Sequence, residues 1–556
     1  MCGIFTYLSK SEISDSLQKQ LIKEALRSKH RGPDNTKYRM ESKNIFVCFH
    51  RLCINDISEK GDQPLTHPDH YNIILLCNGE IYNHKQLIAD NNFKTQSGSD
   101  CEVILHLYTK YGFKKTIEML DGVFGCTLID LRNNETKIFA ARDPIGVRSL
   151  YIGHNTNGDV AFCSEMKSLH NLCESIQQFP PGHIWDNQSD EFTCYYDLSL
   201  KYYQKPVSET FEQVQENIRN LFTRAVTKRL MSDRPIGCLL SGGLDSSLVA
   251  ALLAKHYNKG VLHTYSVGLE GSPDLRYAKM VANHIKSIHH EVIVTEKEMI
   301  EALESDIYQI ETYDTTTIRA STPMFLLSKY IKENSNQPVI YSGEGSDEAS
   351  GSYLYFHNAP SEQAFKDESV RLMQDLCYFD VLRCDKSTAG AGLEVRVPFL
   401  DKDFLEYYMN IESSLKIPKK DRIEKHLLRS AFDGFDLLPK QVLWRMKEGM
   451  SDGVSSQKKG WYEIIQEHVE GIYSDEEFEM LKAKYHWNPP MFKEALYFRE
   501  LFNKHFSGRD KTIPYYWLPK WSGNLVEPSA RALVGVYKNE ESESEDDKSA
   551  EATLSL

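Results

Sequence analysis

The segment Ser241-Gly-Gly-Leu-Asp-Ser246 lies between the apolar run Pro235–Leu240 and the helix-like run Ser247–His256. A glycine loop between a strand and a helix brings backbone N–H groups and the positive end of the helix close to one point, an arrangement that binds phosphate groups. The sequence contains no G-x-x-x-x-G-K-[ST] phosphate loop. The segment therefore predicts a nucleotide pyrophosphate site, in which Asp245 could coordinate Mg²⁺.

The same strand-then-loop pattern recurs further along this half of the chain. Leu262–Val267 precedes the helical run Tyr277–Ile285, and Gln337–Tyr341 leads into Ser342-Gly-Glu-Gly-Ser-Asp-Glu348. Strands that alternate with helices predict a doubly wound parallel sheet. The acids of the second glycine loop could be ordinary loop caps or functional carboxylates.

Two later segments collect polar side chains that could serve the same site. Asp314–Pro323 groups hydroxyls around Arg319, a composition able to bind a small dicarboxylate, although a helix N-terminus capped by threonine is an alternative. Trp444–Gly453 carries Lys447 in a polar, helical setting, where a lone lysine is usually solvated. The remainder, to about Tyr537, is predicted to be largely helical.

The N-terminal half alternates short β-like runs with two helical stretches, Ile13–Ser28 and Asp100–Tyr111. This pattern predicts an α+β domain with sheets and helices in layers. Gln188–Lys205 is polar and shows no periodicity, whereas Thr210–Leu230 has helical spacing. We expect one domain over residues 2–188, a second over 210–537, and an acidic disordered tail over 538–556.

Cys2 is a candidate nucleophile because of its place at the start of the chain. Removal of Met1 would leave the Cys2 thiol beside its own α-amino group. An unperturbed α-amine has a pKa of about 7.7–8.0, so it could act as the local base, directly or through one water. A cysteine at position 2 is by itself more often inert.

Downstream residues make a catalytic role for this cysteine more plausible. Arg51 could bind an α-carboxylate, Glu80 and Asp100 could attract an α-ammonium group, and Asn78-Gly79 could face a developing oxyanion. Each alone could be a surface ion pair or a turn. Together they predict a site where a thiol attacks the side-chain amide of an amino acid.

The N-terminal half resembles the N-terminal-nucleophile glutaminase domain of asparagine synthetases over nearly its whole length. The C-terminal half resembles their ATP-pyrophosphatase-type synthetase domain, and the resemblance fails only in the acidic tail. The matching segments include His30–Asp34, Asn78–Asn83, Asp121–Gly125, Ala141–Val147, Phe179–His183 and Leu393–Asp401.

This resemblance implies a layered αββα-type glutaminase domain followed by a doubly wound synthetase domain with a helical remainder. It also implies a glutamine-hydrolysing asparagine synthetase that uses ATP and Mg²⁺ to adenylate L-aspartate. Ammonia from L-glutamine then displaces AMP. The implied catalytic residues are Cys2, Asn78, Gly79, Glu344 and Lys447.

The resemblance also implies the binding residues. Those for glutamine are Arg51, Leu52, Cys53, Ile54, Asn55, Asn78, Gly79, Glu80 and Asp100. Those for ATP are Leu240, Ser241, Gly242, Gly243, Asp245, Ser246, Val267, Ser342 and Gly343. The implied metal ligands are Asp245 and Asp347, and the aspartate side is formed by Thr316, Thr317 and Arg319.

Two other functions are compatible with parts of this pattern. A β-lactam synthetase shares the two-domain plan but closes a ring onto its own acyl-adenylate, and members of that group lack the nucleophilic Cys2. A non-catalytic glutamine-sensing or scaffold protein would not need the intact Asp245, Glu344 and Lys447. Pyrophosphate release with aspartate would distinguish an enzyme from a binding protein.

Composition restricts the partners and the compartment. The chain of 556 residues has 65 basic and 79 acidic residues and no Lys/Arg-rich block, so nucleic acid is an unexpected partner. Twelve cysteines without a C-x-x-C pair favour a reducing cytoplasm. No apolar stretch approaches the roughly 20 residues that span a bilayer. Relatives of this type form homodimers, so a homodimer is possible.

Overall fold

The N-terminal domain contains two antiparallel sheets that face each other. The structure, a computed structural model, describes residues 1–205, 208–419, 422–446, 453–455, 459–523 and 528. The strands of the N-terminal domain are β1 (Gly3–Leu8), β2 (Asn35–Ser42), β3 (Ile45–Arg51), β4 (Leu65–His67), β5 (His70–Ile81), β6 (Gly122–Asp130), β7 (Lys137–Arg142), β8 (Tyr151–His154), β9 (Val160–Cys163), β10 (Ser175–Gln178), β11 (His183–Asp186) and β12 (Phe192–Cys194). The helices are α1 (Asp15–Ala25), α2 (His84–Asn91), α3 (Val103–Tyr111), α4 (Phe113–Met119) and α5 (Leu198–Tyr202).

The two sheets have the orders β10-β8-β9-β1-β3-β2 and β12-β11-β7-β6-β5-β4. Side chains alternate between the faces of a strand, and β5 is buried on both faces. Ile74 and Leu76 pack against Ile4 and Ile45 of the first sheet, whereas Leu75 packs with the α3 side. The predicted layers of helices and sheets are therefore confirmed.

The C-terminal domain is organised around one parallel sheet. Its strands are β13 (Ile236–Leu239), β14 (His263–Gly268), β15 (Ile288–Ile293), β16 (Val339–Tyr341) and β17 (Glu394–Arg396). Its described helices are α6 (Phe211–Lys228), α7 (Leu244–His256), α8 (Pro273–Ile285), α9 (Glu296–Ile310), α10 (Thr315–Asn334), α11 (Ser346–Ser350), α12 (Glu362–Asp375), α13 (Asp380–Gly390), α14 (Lys402–Asn410), α15 (Ser413–Lys416), α16 (His426–Phe432), α17 (Lys440–Leu443), α18 (Trp461–Glu470), α19 (Asp475–Lys482) and α20 (Lys493–Phe506). Among the residues described, no helix is long and apolar enough to cross a membrane.

The strand order of this sheet determines where its loops meet. Across the sheet the strands lie in the order β15-β14-β13-β16-β17. From β13 the chain adds strands toward one edge (β14, β15), and it then returns to add β16 and β17 on the other side of β13, with β16 parallel to β13. In open parallel sheets, ligands bind beyond the carboxyl ends of the strands at this reversal. The loops that follow β13 and β16 are the two glycine loops, so the predicted doubly wound sheet is confirmed and brings both loops to one place.

Buried charges join the two domains. Arg31 Nη1 lies 2.5 Å from Glu165 Oε1, and Arg31 Nη2 lies 2.8 Å from Asp385 Oδ2 in α13 of the other domain. Lys167 contacts Glu165 at 3.2 Å and Glu311 at 3.7 Å. Lys386 completes the network between Glu165 and Glu311. These six side chains are at most 1% exposed.

The segment between the domains is more structured than its sequence indicated. Gln188–Lys205 showed no periodicity, yet it contains β12, which pairs with β11, and the short helix α5. β12 has only three residues and α5 only five, too few for a periodic pattern to be visible. The helix predicted over Ile13–Ser28 is shorter, since α1 ends at Ala25 and continues as a 3₁₀ turn.

The packing between the sheets predicts an unequal response to two substitutions on β5. Leu76 is fully buried, so Leu76→Ala should lower the free energy of unfolding by about 2–5 kcal/mol because it leaves a cavity. Tyr71 is 78% exposed on the same strand, and Tyr71→Ala should change it by less than about 0.5 kcal/mol. Denaturant unfolding of both variants measures the difference, and equal losses would contradict the packing described.

Candidate active sites

Cys2 lies at the bottom of a small cavity in the N-terminal domain. Its Sγ accepts a hydrogen bond from Leu52 N at 3.4 Å. Burial raises the pKa of this thiol to about 11 in the chain that still carries Met1. Burial also lowers the pKa of the N-terminal ammonium of Met1 to about 5. Both shifts have the same cause, because burial disfavours the charged form of each group.

Asn78 and Gly79 present hydrogen-bond donors to the same cavity. Asn78 is buried, and its Nδ2 has no hydrogen-bond partner in the part of the chain described. Cys77 N donates to Gln63 Oε1 at 2.7 Å and Ile81 N to Asp100 Oδ2 at 2.6 Å, so odd residues of β5 point their N–H groups away from β6. By this alternation the Gly79 N–H points the same way.

Carboxylates and one amide form the opposite wall. Asn55 Nδ2 donates to Glu80 Oε2 at 2.5 Å and to Asp100 Oδ1 at 3.1 Å. Arg51 is buried and donates to Asp62 Oδ1 at 2.5 Å and to Ser58 O at 2.7 Å. Its position is thus fixed by the loop that follows β3.

The cavity brings together most of the residues predicted for glutamine. Its lining includes Cys2, Arg51, Leu52, Ile54, Asn55, Asn78, Gly79, Glu80 and Asp100. Cys53 is not part of the lining, and its N–H donates to Asp34 Oδ2 at 2.8 Å. Glu394 of the other domain lines the cavity and was missed, because no motif in the sequence connects β17 with Cys2.

The two glycine loops of the C-terminal domain lie against each other at a second cavity of about 220 Å³. A Cβ atom on Gly343 would lie 2.6 Å from Ser246 N, so the second loop has room only for glycine there. Gly242 has a positive φ of 76°, and a Cβ on it would lie 2.4 Å from Ala278 N. This close approach explains both glycines.

The residues predicted for ATP largely line this cavity. They are Leu240, Ser241, Gly243, Asp245, Ser246, Val267, Ser342 and Gly343, whereas Gly242 packs behind the loop. Ser241 Oγ and Ser246 Oγ are 3.0 Å apart, so the hydroxyls at the two ends of the first loop contact each other.

The two predicted metal ligands are neighbours in this cavity. Lys425 Nζ lies 2.5 Å from Asp245 Oδ2 and 2.6 Å from Asp347 Oδ1, so one ammonium group bridges both carboxylates. Their side chains are 18% and 20% exposed. Two carboxylates that meet at one point and reach the cavity are suited to a hard cation such as Mg²⁺, so these residues fit the ion.

Glu344 is largely buried, with 14% of its side chain exposed, and lies between charges of both signs. Its Oε1 accepts from Arg383 Nη2 at 2.5 Å, and Arg383 also donates to Asp380 Oδ1 at 2.6 Å. Burial raises the pKa of Glu344 to about 7, Arg383 opposes this shift, and Asp380 and Asp347 add to it. A carboxyl with this pKa can accept and release a proton near neutral pH.

The residues predicted for the aspartate side are distributed differently. Thr316 lines the cavity, but Thr317 and Arg319 do not. The Asp314 side chain accepts hydrogen bonds from Thr317 N and, at 2.7 Å, from Thr317 Oγ1, so Asp314 is the N-cap of α10. The prediction that a threonine caps this helix is therefore wrong. Arg319 is 2% exposed and pairs with both oxygens of Glu494, at 2.7 and 2.5 Å. Lys447 lies outside the described residues.

Several cavity residues were missed by the sequence argument. They are residues to which the sequence argument gave no role: Asp274, Tyr353, Asp380, Lys425, Arg429, Arg445 and Trp517. Basic residues within this set would have been classified as surface charges from the sequence, and only the fold shows that they reach the cavity.

Family models match both halves of the chain. The glutamine amidotransferase domain matches residues 1–203, and the asparagine synthase domain matches residues 217–365 and 358–523. Together with the two cavities, these matches define the class of the protein: a glutamine amidotransferase domain joined to a synthetase domain.

Curated relatives specify the family. The chain is 45% identical to the glutamine-hydrolysing asparagine synthetase of Mus musculus over 96% of its length and 99% of the relative. The enzymes of Gallus gallus (45% identity, covering 96% and 98%) and Homo sapiens (44%, covering 96% and 99%) carry the same name. The chain belongs to the family of glutamine-hydrolysing asparagine synthetases.

The contact between the glycine loops predicts a position-specific effect on nucleotide binding. Gly343→Ala should weaken ATP binding by at least about tenfold, because its methyl group forces the loop away from Ser246. In Gly471→Ala, which lies outside the cavity, the nearest atom to the new methyl is His468 O at 3.6 Å, so ATP binding should be retained. Calorimetric titration with ATP measures both, and equal affinities in the two variants would be the contrary result.

Proposed function

We propose that the chain converts ATP, L-aspartate, L-glutamine and water to AMP, diphosphate, L-asparagine and L-glutamate. The observation that carries this proposal is the pairing of two cavities in one chain. One cavity combines a thiol with free oxyanion donors, and the other combines two glycine loops with paired carboxylates. A β-lactam synthetase would have no use for Cys2, and a non-catalytic sensor would not need Cys2, Asp245 and Glu344 together at two cavities.

In the glutaminase half, Cys2 attacks the side-chain amide of glutamine after Met1 is removed. The α-amine of Cys2 takes the thiol proton, directly or through one water, because it belongs to the same residue as the thiol. Asn78 Nδ2 and Gly79 N–H donate to the oxyanion. Release of ammonia leaves a thioester, which water hydrolyses to glutamate.

The polar wall of this cavity orients glutamine. Arg51 binds the α-carboxylate, whereas Glu80 and Asp100 bind the α-ammonium group. Leu52, Ile54 and Asn55 form the surface between these poles, and Asn55 holds both acids in place through its amide. Cys53 is assigned to glutamine on the family resemblance alone, since it is not part of the lining.

In the synthetase half, the β-carboxylate of aspartate attacks the α-phosphate of ATP and diphosphate leaves. The N–H groups and hydroxyls of Ser241–Ser246 and the Ser342-Gly343 backbone bind the phosphates. Asp245 and Asp347 would hold Mg²⁺, which neutralises phosphate charge when bound. Adenylation is needed because a carboxylate is a poor electrophile and hydroxide a poor leaving group.

Ammonia then attacks the β-aspartyl-AMP and AMP leaves. Glu344 takes the proton from the attacking nitrogen, because its pKa of about 7 lets it act as a base near neutral pH. Thr316 is the aspartate-side residue that the cavity retains, whereas Arg319 pairs with Glu494. We assign Lys447 to charge stabilisation on the phosphate.

We place the enzyme in the cytoplasm, since all twelve cysteines are free thiols and a reducing compartment keeps them so. Its substrates are small molecules, and we expect neither nucleic acid nor a membrane as partner. A homodimer is proposed on the family resemblance alone.

The two chemistries should be separable at Cys2. Cys2→Ala should form no asparagine from glutamine yet keep synthesis from ammonium salts, because the thiol is needed only to release ammonia. Cys194 is exposed, and Cys194→Ala should retain both activities. Asparagine formed by each purified variant with each nitrogen source decides the matter. Full activity of Cys2→Ala with glutamine would show that Cys2 is a bystander.

The adenylate should be visible by isotope transfer. Aspartate labelled with ¹⁸O in the β-carboxylate should place one label in AMP, because that oxygen remains on phosphorus when the adenylate is attacked. Mass spectrometry of the nucleotide and phosphate products measures this. Label in inorganic phosphate together with ADP as the product would contradict the adenylate.

A further inference from the structure

The synthetase domain completes the glutamine cavity through β17. Glu394 and Arg396 are two residues apart on this strand and therefore share one face. Glu394 lines the cavity, and Arg396 Nε donates to Glu394 Oε1 at 2.9 Å. Arg396 Nη2 lies 3.5 Å from Glu80 Oε2, so the guanidinium reaches a residue of the other domain.

The Arg396 side chain is fixed in this position. It is 0% exposed, and its Nη1 donates to Met231 O at 2.5 Å and also to Arg229 O. Its Nη2 has no hydrogen-bond partner within the described residues. The carboxylate of Glu80 forms an ion pair with this nitrogen at 3.5 Å.

Acidic groups outnumber basic ones in the lining of this cavity, where Arg51 is the one basic side chain among the described lining residues. Glu80, Asp100 and Glu394 place three carboxyl groups around one small space. Burial raises the pKa of Glu80 well above its usual value, the two other acids raise it further, and Arg396 opposes them. By opposing this shift, Arg396 favours the carboxylate form of Glu80, which is the form that attracts an α-ammonium group.

We propose that Arg396 of the synthetase domain is a positioning residue of the glutaminase site, which acts through Glu80 to select a substrate with an α-ammonium group. This inference rests on the proposed glutaminase role of the Cys2 cavity. Arg396 O also accepts from Ser342 N at 2.9 Å, so the same residue contacts the start of the second glycine loop. One residue therefore touches machinery of both sites.

Two variants separate charge from shape. Arg396→Gln keeps a donor for the backbone carbonyls but removes the charge, whereas Arg396→Lys keeps the charge. The substrates are L-glutamine and glutaramate, which is glutamine without its α-amino group. The readout is glutamate or glutarate released without ATP, expressed as kcat/KM for each substrate.

In Arg396→Gln we expect kcat/KM for glutamine to fall by at least about tenfold, a loss of the size expected when a bond to a charged group is weakened. The fall should result from a higher KM. The kcat/KM for glutaramate should change by less than about threefold, since glutaramate has no α-ammonium group to bind Glu80. Arg396→Lys should keep the preference for glutamine, because the 3.5 Å contact with Glu80 is an interaction of charges. Asparagine synthesis from ammonia reports that each variant is folded.

A second buried arginine of the same interface is the matched control. Arg229 Nη1 donates to Asp401 Oδ2 at 2.6 Å and does not contact Glu80, so Arg229→Gln should keep the preference for glutamine. On a Glu80→Gln background, Arg396→Gln should cause no further loss of preference, because coupled residues are not additive.

Three results would overturn the inference: equal losses for both substrates in Arg396→Gln, an unchanged preference, or the same loss in Arg229→Gln. A different result tests the proposed function itself. If the wild-type chain releases no glutamate from glutamine, the assignment of the Cys2 cavity fails, independently of any Arg396 variant.

Discussion

The relative position of the two domains depends on six buried charges. Arg31, Glu165 and Lys167 of the first domain meet Glu311, Asp385 and Lys386 of the second, three acids against three bases with almost no solvent contact. Separation of one partner would leave a buried charge unpaired, which costs several kcal/mol. Burial alone would raise the pKa of Glu165, but the surrounding cations outweigh it and hold this pKa well below its usual value. The domains therefore cannot slide past each other without cost, and β17 stays beside Cys2.

The sequence made some parts of both sites predictable and not others. Ser241–Ser246 and Ser342–Asp347 are contiguous loops that follow strands, so their roles could be expected before the fold was known, and the strand order then brought them together. Lys425 lies 180 positions after Asp245, and Glu394 lies on a three-residue strand. Nothing in the local sequence connects Lys425 with Asp245 or Glu394 with Cys2, because contacts between distant segments are created by the packing of the fold.

Helix geometry explains why only part of the aspartate-side prediction reaches the cavity. Thr316 and Ala320 are four residues apart on α10, lie on one face, and both line the cavity. Thr317 and Arg319 are rotated away from that face by the helical turn of about 100° per residue, toward Asp314 and Glu494. The sequence showed a polar helix start, but which face would be open depended on the position of α10 in the fold.

Both cavities rely on a backbone that approaches another backbone too closely for a side chain. A Cβ on Gly79 would lie 2.2 Å from Val123 O, and one on Gly343 would lie 2.6 Å from Ser246 N. In the first case the contact fixes the residue that we propose as an oxyanion donor, and in the second it fixes a loop that we propose for phosphate. Dipoles that are already in place need no rearrangement when charge develops, which is where most of their catalytic value lies. The buried interface does the same for Arg396, because a guanidinium held by backbone carbonyls cannot move away from Glu80. Rigid placement of charge, within loops and across the domain boundary, is thus the common physical basis of both sites.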